Sequence, residues 1–367
     1  MSRVRIACVG GFLGAGKTTA LKAAVHELNR RNLRVGVITN DQGSEIIDTK
    51  VMQDLNVPTQ EIAGGCFCCK FSDLVEKAEQ ILDQEHPDII LAEAVGSCTD
   101  LSATVYQPLR KYYGHRFDLA PLTILVEPHR INLLEQDGQT NFPDTVQYLF
   151  KKQLAEADLI LLTKLDTVEP EKCADLKKEL GEITGIPVLA VSAFTRAGIS
   201  EWIDVLLTQE GAGQRILDIN YDTYARAEAA LGWLNATVEV TGANEFLPNE
   251  FAWALIRRFQ DGAIAAGMNI AHLKVLAATN TETDRIALTE NEAKPQWSGG
   301  GHFTPARDVS LTINARIHAS PEDLSRLSLE CLAAIAKQFQ VETELGHIES
   351  FSPLPPKPEY RMAQAAP

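Results

Sequence analysis

The 367-residue chain contains no run of about 18 apolar residues, so no bilayer-spanning helix and no membrane partner are expected. It is poor in positive charge: 34 Lys and Arg against 49 Asp and Glu give a formal net charge of −15. That balance argues against nucleic acid as the main partner. It does not exclude a single nucleotide, because phosphates are recognised by local geometry rather than by net charge. Histidine is sparse and scattered. None of the eight forms a cluster, and His129 ("VEPHR") and His302 ("GGGHF") stand in loop-like contexts. The opening "MSRVRIACVGG" runs into a β-like stretch without the apolar segment and cleavage site of a secretory signal. The cytoplasm is therefore the expected compartment, where thiols stay reduced and disulfides are rare.

What the chain does have is alternation. Short Val/Ile/Leu runs recur at 4–11, 33–40, 88–94, 122–128, 158–166 and 187–193, separated by amphipathic helical stretches such as "TTALKAAVHELNRRN" and "SDLVEKAEQILDQ". Near-continuous apolar runs are expected of parallel strands buried on both faces. Together they predict a doubly wound α/β domain over residues 1–210. Residues 211–229 shift in composition and read as a linker. From 230 to 353 the order β-α-β-β-α-β predicts a smaller, ferredoxin-like α+β domain. The Pro-rich tail, 354–367, reads as extended or disordered.

"GGFLGAGKTT" fits G-x-x-x-x-G-K-[ST], with Gly11, Gly16, Lys17 and Thr18 in register and Gly14, Ala15 and Thr19 completing the segment. It follows a predicted strand and opens a predicted helix, the context that makes the motif a phosphate loop. Its backbone N–H groups would surround the phosphates, Lys17 would reach the β- and γ-phosphates, and the Thr18 hydroxyl would ligate Mg²⁺. The fold class expected is thus α/β, a P-loop domain with a mostly parallel sheet. Downstream, "LLTKLD" places Thr163, Lys164 and Asp166 at the end of a late strand. An ionised Asp166 only accepts hydrogen bonds, so it can pair with the N1–H and N2–H₂ donors of guanine and reject adenine. The stem of Lys164 can pack on the base. "SAF" supplies Ser192 and Ala193 as a further base-edge loop. GTP and GDP are the nucleotides expected.

Two other strand ends carry lone acids. "DIILAEAVG" ends with Glu93 and then Gly96, where a Mg²⁺-side carboxylate and a γ-phosphate-sensing amide belong. "TNDQGSEIID" places Asp41 at the end of the second strand, facing the same crevice. Lys17, Asp41 and Glu93 are the candidate catalytic residues, with Asp41 or Glu93 orienting the attacking water. Thr18, Asp41 and Glu93 are the candidate Mg²⁺ ligands.

Between these segments lies "EIAGGCFCCK", with Cys66, Cys68 and Cys69 packed into four positions after two glycines. In a strand, Cys69 would point away from the other two; in a turn, all three sulfurs can converge. Three thiolates suit Zn²⁺ or a similar borderline-soft ion and leave a tetrahedral site one ligand short. A redox pair and a packed apolar patch are the competing readings. Cys98, two residues beyond Gly96, could complete the site, as could a histidine. Cys8, Cys173 and Cys331 read as small core or surface residues.

"GGFLGAGKTT", "GGCFCC", Glu-x-x-Gly at 93–96 and "TKLD", in this order, resemble the CobW-type metallochaperone GTPases, relatives of HypB and UreG. The resemblance covers roughly residues 4–210, and Cys-x-Cys-Cys is its most specific element. It implies GTP hydrolysis coupled to binding of Zn²⁺ or Co²⁺ and its delivery to a client metalloprotein. By motif match, Lys17 and Thr18 take phosphate and Mg²⁺, Lys164 and Asp166 the guanine, and Cys66, Cys68 and Cys69 the metal. The C-terminal domain would recognise the client. A client that uses cobalamin, a nucleotide-binding metal buffer without turnover, and a P-loop kinase with a structural zinc are the alternatives. Homo-oligomerisation stays open.

Overall fold

The computed structural model describes residues 3–42, 55, 57–134 and 142–365. Ser44 and Glu45 of "TNDQGSEIID" lie outside them.

In the N-terminal domain the described strands are β1 (Val4–Gly11), β2 (Val35–Asn40), β3 (Thr59–Ile62), β4 (Ile89–Glu93), β5 (Phe117–Leu119), β6 (Thr123–Val126), β7 (Leu159–Leu162) and β8 (Val188–Ala190). They form one sheet in the order β3-β2-β4-β1-β6-β7-β8, with β5 beside the start of β1. Every pairing in it is parallel. Alternate residues of each strand feed two different cores, which is why the strands read as continuous apolar runs. Ile6, Cys8, Ile90 and Ile124 face one core together with Phe71, Leu74 and Ala78 of α2 (Phe71–Glu85). Ala7, Val9, Leu91 and Leu125 face the other, together with Leu21, Val25 and Leu28 of α1 (Lys17–Arg30). The sheet is thus wound on both sides. Helices α3 (Gln107–Tyr113), α4 (Asp144–Ala155), α5 (Pro170–Thr184) and α6 (Ile199–Thr208) complete the layers. Strands β3 and β5 lie outside the apolar runs that predict strands. One is a half-exposed "TQEI" and the other spans three residues, so neither carries an apolar run.

The stretch expected as a linker, 211–229, contains helix α7 (Tyr221–Ala229), capped by the Asn220 side chain accepting from Thr223 N. Beyond it come β9 (Gly232–Phe246), α8 (Pro248–Ala265), β10 (Asn269–Ala278), β11 (Thr283–Leu288), β12 (Gln296–Trp297), β13 (Ala306–His318), α9 (Pro321–Phe339) and β14 (Val341–Phe351). The sheet order is β12-β11-β10-β13-β9-β14. Its β14-β9-β13-β10 part has the ferredoxin-like arrangement, extended by β11 and β12, two strands beyond the predicted β-α-β-β-α-β order. One face buries Leu234, Leu273, Ile286 and Ile313 against Phe251 and Leu255 of α8 and Leu324 and Cys331 of α9. The other face packs on the N-terminal domain: Trp233 and Ala271 belong to that domain's core.

The Pro-rich tail runs extended across the N-terminal domain. Glu359 N donates to Cys68 O at 3.0 Å and Met362 N to Ala103 O at 3.0 Å. Tyr360 packs against Phe71 and Tyr112. Arg361 pairs with the buried Asp100 at 2.7 Å.

Candidate functional site

The phosphate loop joins β1 to α1. Gly11 has φ +128°, and a Cβ there would stand 2.4 Å from Leu125 O, so no side chain fits against the neighbouring strand. Gly16, at φ +87°, precedes α1, and no side chain caps the helix. The first-turn N–H groups therefore open toward the cleft, as an anion site requires. Lys17 curls back over the loop, with Nζ donating to Gly11 O at 2.9 Å and Phe12 O at 3.4 Å. Thr18 Oγ1 donates to Glu93 Oε1 at 2.9 Å, both residues being buried. These hard oxygen donors, from the P-loop and from β4, lie within one small ion's reach and fit Mg²⁺ by chemistry and spacing.

Around them is a cavity of about 430 Å³ whose walls include Gly14, Gly16, Lys17, Thr18, Thr19, Asn40, Asp41, Glu93, Gly96, Thr163, Lys164, Asp166 and Ala193. Of the sequence-predicted site residues outside the cysteine cluster, Gly11, Ala15 and Ser192 are not among its walls; the others meet in this one cleft at the carboxyl ends of the parallel strands. On the base side Lys164 takes a left-handed backbone (φ +57°), and its Nζ bonds Glu127. Ser192 Oγ donates to Asp166 and accepts from Thr195 N at 3.0 Å. Thr163 Oγ1 donates to Ala15 O at 2.9 Å, tying the base side to the phosphate loop. The Asp41 carboxylate faces the cleft but is held by Arg316 at 3.0 and 3.2 Å. That partner comes from the C-terminal domain, and no local motif foretold it.

Three loop residues, Cys66, Cys68 and Cys69, form a turn in which Cys69 N and Lys70 N both donate to Cys66 O at 3.0 Å, leading into α2. Their sulfurs lie within 4.8 Å of one another. Cys66 Sγ is 2.9 Å from Cys68 Sγ, which is 3.7 Å from Cys69 Sγ. Thiols of Cys68, Cys69 and Cys98 all bond toward Cys66 and push its pKa well down, stabilising a thiolate there. The Cys68 thiol is pushed well up, mainly by bonding to Cys66, and burial does the same to Cys98. Cys69 is pushed up to about 11, chiefly by Cys66. Among the described residues no histidine joins this cluster. Cys8 and Cys331 are buried in β1 and α9, and Cys173 is half-buried on α5.

Asn40 connects the two sites. It lines the nucleotide cleft at the end of β2. Its side chain donates to Ile62 O at 2.9 Å and Gly65 O at 2.6 Å, and accepts from Phe67 N at 3.1 Å. A second connection runs from Gly96 to Cys98, whose carbonyls both accept from Gln153 Nε2 at 2.9 Å. Glu228 of α7, buried beside this turn, accepts from Ser97 Oγ at 2.5 Å. Burial raises its pKa to about 8. Asn40, Gln153 and Glu228 carried no sequence signal, since each works through a contact distant along the chain.

A P-loop cleft joined to a tight cluster of thiols defines the class, a P-loop protein with a cysteine cluster beside its cleft. Residues 5–189, half of the chain, match the model of the CobW/HypB/UreG family's nucleotide-binding domain, and the chain belongs to that family. It is similar to the zinc chaperone YeiR of Escherichia coli, 31% identical over 172 residues, covering 44% of this chain and 47% of the relative. The zinc chaperone CobW of Pseudomonas aeruginosa is 26% identical over 215 residues, 50% of this chain and 55% of the relative. The chain spans about half the length of the curated relatives it matches. Among solved structures, Zn(II)-bound YjiA GTPase from E. coli aligns over 92% of this chain and 99% of that one, at 16% identity and a TM-score of 0.36.

Proposed function

We propose that this protein is a Mg²⁺-dependent GTPase that binds a divalent metal, zinc or cobalt, and delivers it to a client protein. In this reading Cys66, Cys68 and Cys69 hold the cargo ion, with Cys98 as fourth thiolate, and the nucleotide state sets the affinity. The observation that carries it is Asn40: one buried amide in the cleft wall fastens the loop on which the thiols stand. Ordering the cleft around a nucleotide triphosphate can then move the thiols. The relatives' names as zinc chaperones support zinc as cargo.

In the nucleotide site, Asp166, braced by Ser192, pairs with guanine. Lys17 leaves the Gly11 and Phe12 carbonyls for the phosphates. Thr18 and Glu93 would hold Mg²⁺, which when bound neutralises charge on the β- and γ-phosphates. Asp41 or Glu93 orients the attacking water. Because Asp41 is paired with Arg316, its part depends on the C-terminal domain staying docked.

The test is turnover and metal binding in one preparation. GTP should be hydrolysed in preference to ATP, and Lys17→Ala should abolish turnover. Zinc bound tightly in competition with a chromophoric chelator should be lost in the Cys66/Cys68/Cys69→Ser variant. Metal binding without turnover would leave a nucleotide-binding buffer. Loss of neither activity in its variant would overturn the reading.

A further inference from the structure

The C-terminal segment lies directly on the thiol cluster. In Pro355–Pro356–Lys357–Pro358 only Lys357 carries a backbone N–H, and it is aimed at a cysteine: Lys357 N donates to Cys69 Sγ at 3.2 Å. Glu359 N donates to Cys68 O at 3.0 Å. The Glu359 carboxylate accepts from Ser72 N at 3.1 Å and from Ser72 Oγ at 2.5 Å. Ser72 stands in the first turn of α2, which no side chain caps from Lys70. The tail thus supplies, from 287 positions away, the anionic cap that this helix lacks. Tyr360 follows, its ring 5.3 Å from that of Phe71 and 5.5 Å from that of Tyr112 on α3.

The same segment grips the second loop that carries a thiol. Arg361 Nε donates to Asp100 Oδ2 at 2.7 Å, an oxygen that also accepts from Tyr221 Oη of α7 at 2.7 Å. Met362 N donates to Ala103 O at 3.0 Å. Asp100, 1% exposed, stands two residues past Cys98. The thiols at 66–69 and at 98 come from loops after two different strands, and the tail bonds to both loops. Burial shows where the cluster meets solvent. Cys66, Cys68 and Cys98 are at most 3% exposed, whereas Cys69 is half-buried. The route between solvent and the thiols therefore lies at Cys69, the sulfur to which the tail bonds. An N–H donated to a thiolate favours the charged form that a divalent ion needs and fixes its direction. The prolines lower the entropy lost when the segment docks.

We propose that residues 357–362 are a strap that completes the cargo-ion site: the Lys357 N–H positions the Cys69 sulfur, and the segment closes the ion's way out. This rests on reading the thiols as the cargo site. Loading and delivery then each require the strap to lift.

The zinc-loaded full chain would be mixed with excess chromophoric chelator and the release rate followed, beside Tyr360→Ala, Lys357→Pro, Lys357→Ala and the Cys66/Cys68/Cys69→Ser variant. Tyr360→Ala loses two ring contacts and should release zinc about 10-fold faster. In the metal-free protein the same change should speed alkylation of Cys69 by iodoacetamide about 10-fold. Lys357→Pro keeps an extended backbone without the N–H and should weaken zinc about 5-fold or more. Lys357→Ala keeps the N–H and should weaken it less. By linkage, zinc should slow hydrogen exchange at 357–362 in the unaltered chain. Zinc release from Tyr360→Ala within two-fold of the unaltered protein would overturn the proposal while the triple serine variant still loses zinc. Equal losses in the two Lys357 variants, or exchange at 357–362 indifferent to zinc, would overturn it as well. If the triple serine variant keeps its zinc, the cargo-site reading falls first. Should Tyr360→Ala or Lys357→Pro not fold, the exchange measurement on the unaltered chain decides.

Discussion

Replacing Asn40 by Ala removes one side chain and three hydrogen bonds. Ile62 O keeps a partner, because Asp41 N also donates to it at 3.2 Å. Gly65 O and Phe67 N lose the Asn40 partner, and both flank the cysteines. Leaving a buried backbone group unsatisfied costs about 1–3 kcal/mol, so the two together loosen the loop by ~2–6 kcal/mol. Metal binding must then supply that ordering energy. Zinc affinity should fall between ~30-fold and ~20,000-fold at about 1.4 kcal/mol per factor of ten. The assay is competition against a chromophoric chelator, run with GDP and with a non-hydrolysable GTP analogue. The Asn40→Ala protein should also lose most of any difference between the two nucleotide states. Hydrogen exchange at 65–69 should rise in parallel. Zinc affinity within about two-fold of the unaltered protein, with the nucleotide difference intact, would refute the reasoning; a two-fold change corresponds to only ~0.4 kcal/mol.

Three further outcomes are expected. Asp166→Asn replaces an acceptor-only group by an amide whose N–H₂ faces the guanine N2–H₂ donor; GTP affinity should fall ~30-fold or more while xanthosine triphosphate, with a carbonyl at C2, binds better. An unchanged GTP/XTP ratio would remove Asp166 from base recognition. Cys98→Ser should lower zinc affinity ~10-fold or more and take about a quarter of the thiolate-to-cobalt charge-transfer intensity from the Co²⁺ form, one sulfur in four being lost; an identical spectrum would exclude Cys98 as a ligand. Glu156 is buried, accepts from Thr99 Oγ1 and Ser102 N at 3.0 Å, and has its pKa raised by burial from 4.5 to about 8. Between those values the native state holds a proton that the unfolded chain has released, so this group's contribution falls as pH rises, by at most ~1.4 kcal/mol per pH unit. Glu156→Gln should flatten the decline in denaturant midpoint between pH 5 and pH 8, and a steeper decline would contradict the assignment.

The N-terminal domain was legible because its chemistry is local. A strand buried on both faces must be apolar throughout, as Val4–Gly11 and Ile89–Glu93 are, and a phosphate loop needs glycines at fixed spacing. The convergence of Cys66, Cys68 and Cys69 could be anticipated because a turn after two glycines permits it. What could not be read depends on distant partners. Asp41 reads as an ordinary cleft carboxylate until Arg316 is placed beside it. The alternation in "HLKV", "RIAL" and "TINAR" looks like a half-solvated sheet, yet its polar residues His272, Lys274, Arg285, Asn314 and Arg316 line the cleft. Glu228 reads as linker until α7 brings it against Ser97. The tail's prolines foretell no partner, and its order comes from backbone bonds to Cys68 and Ala103 and from the contacts of Tyr360 and Arg361.

The most direct measurement is zinc affinity by competition titration in the nucleotide-free, GDP and non-hydrolysable-GTP forms, beside the Cys66/Cys68/Cys69→Ser variant. A GTP-gated carrier predicts an affinity that changes with the nucleotide and vanishes in the variant. By linkage, zinc must then shift nucleotide affinity by the same factor. Tight zinc binding that is the same in all three forms would contradict it, leaving the thiols as a static store and the nucleotide cleft without a hold on them.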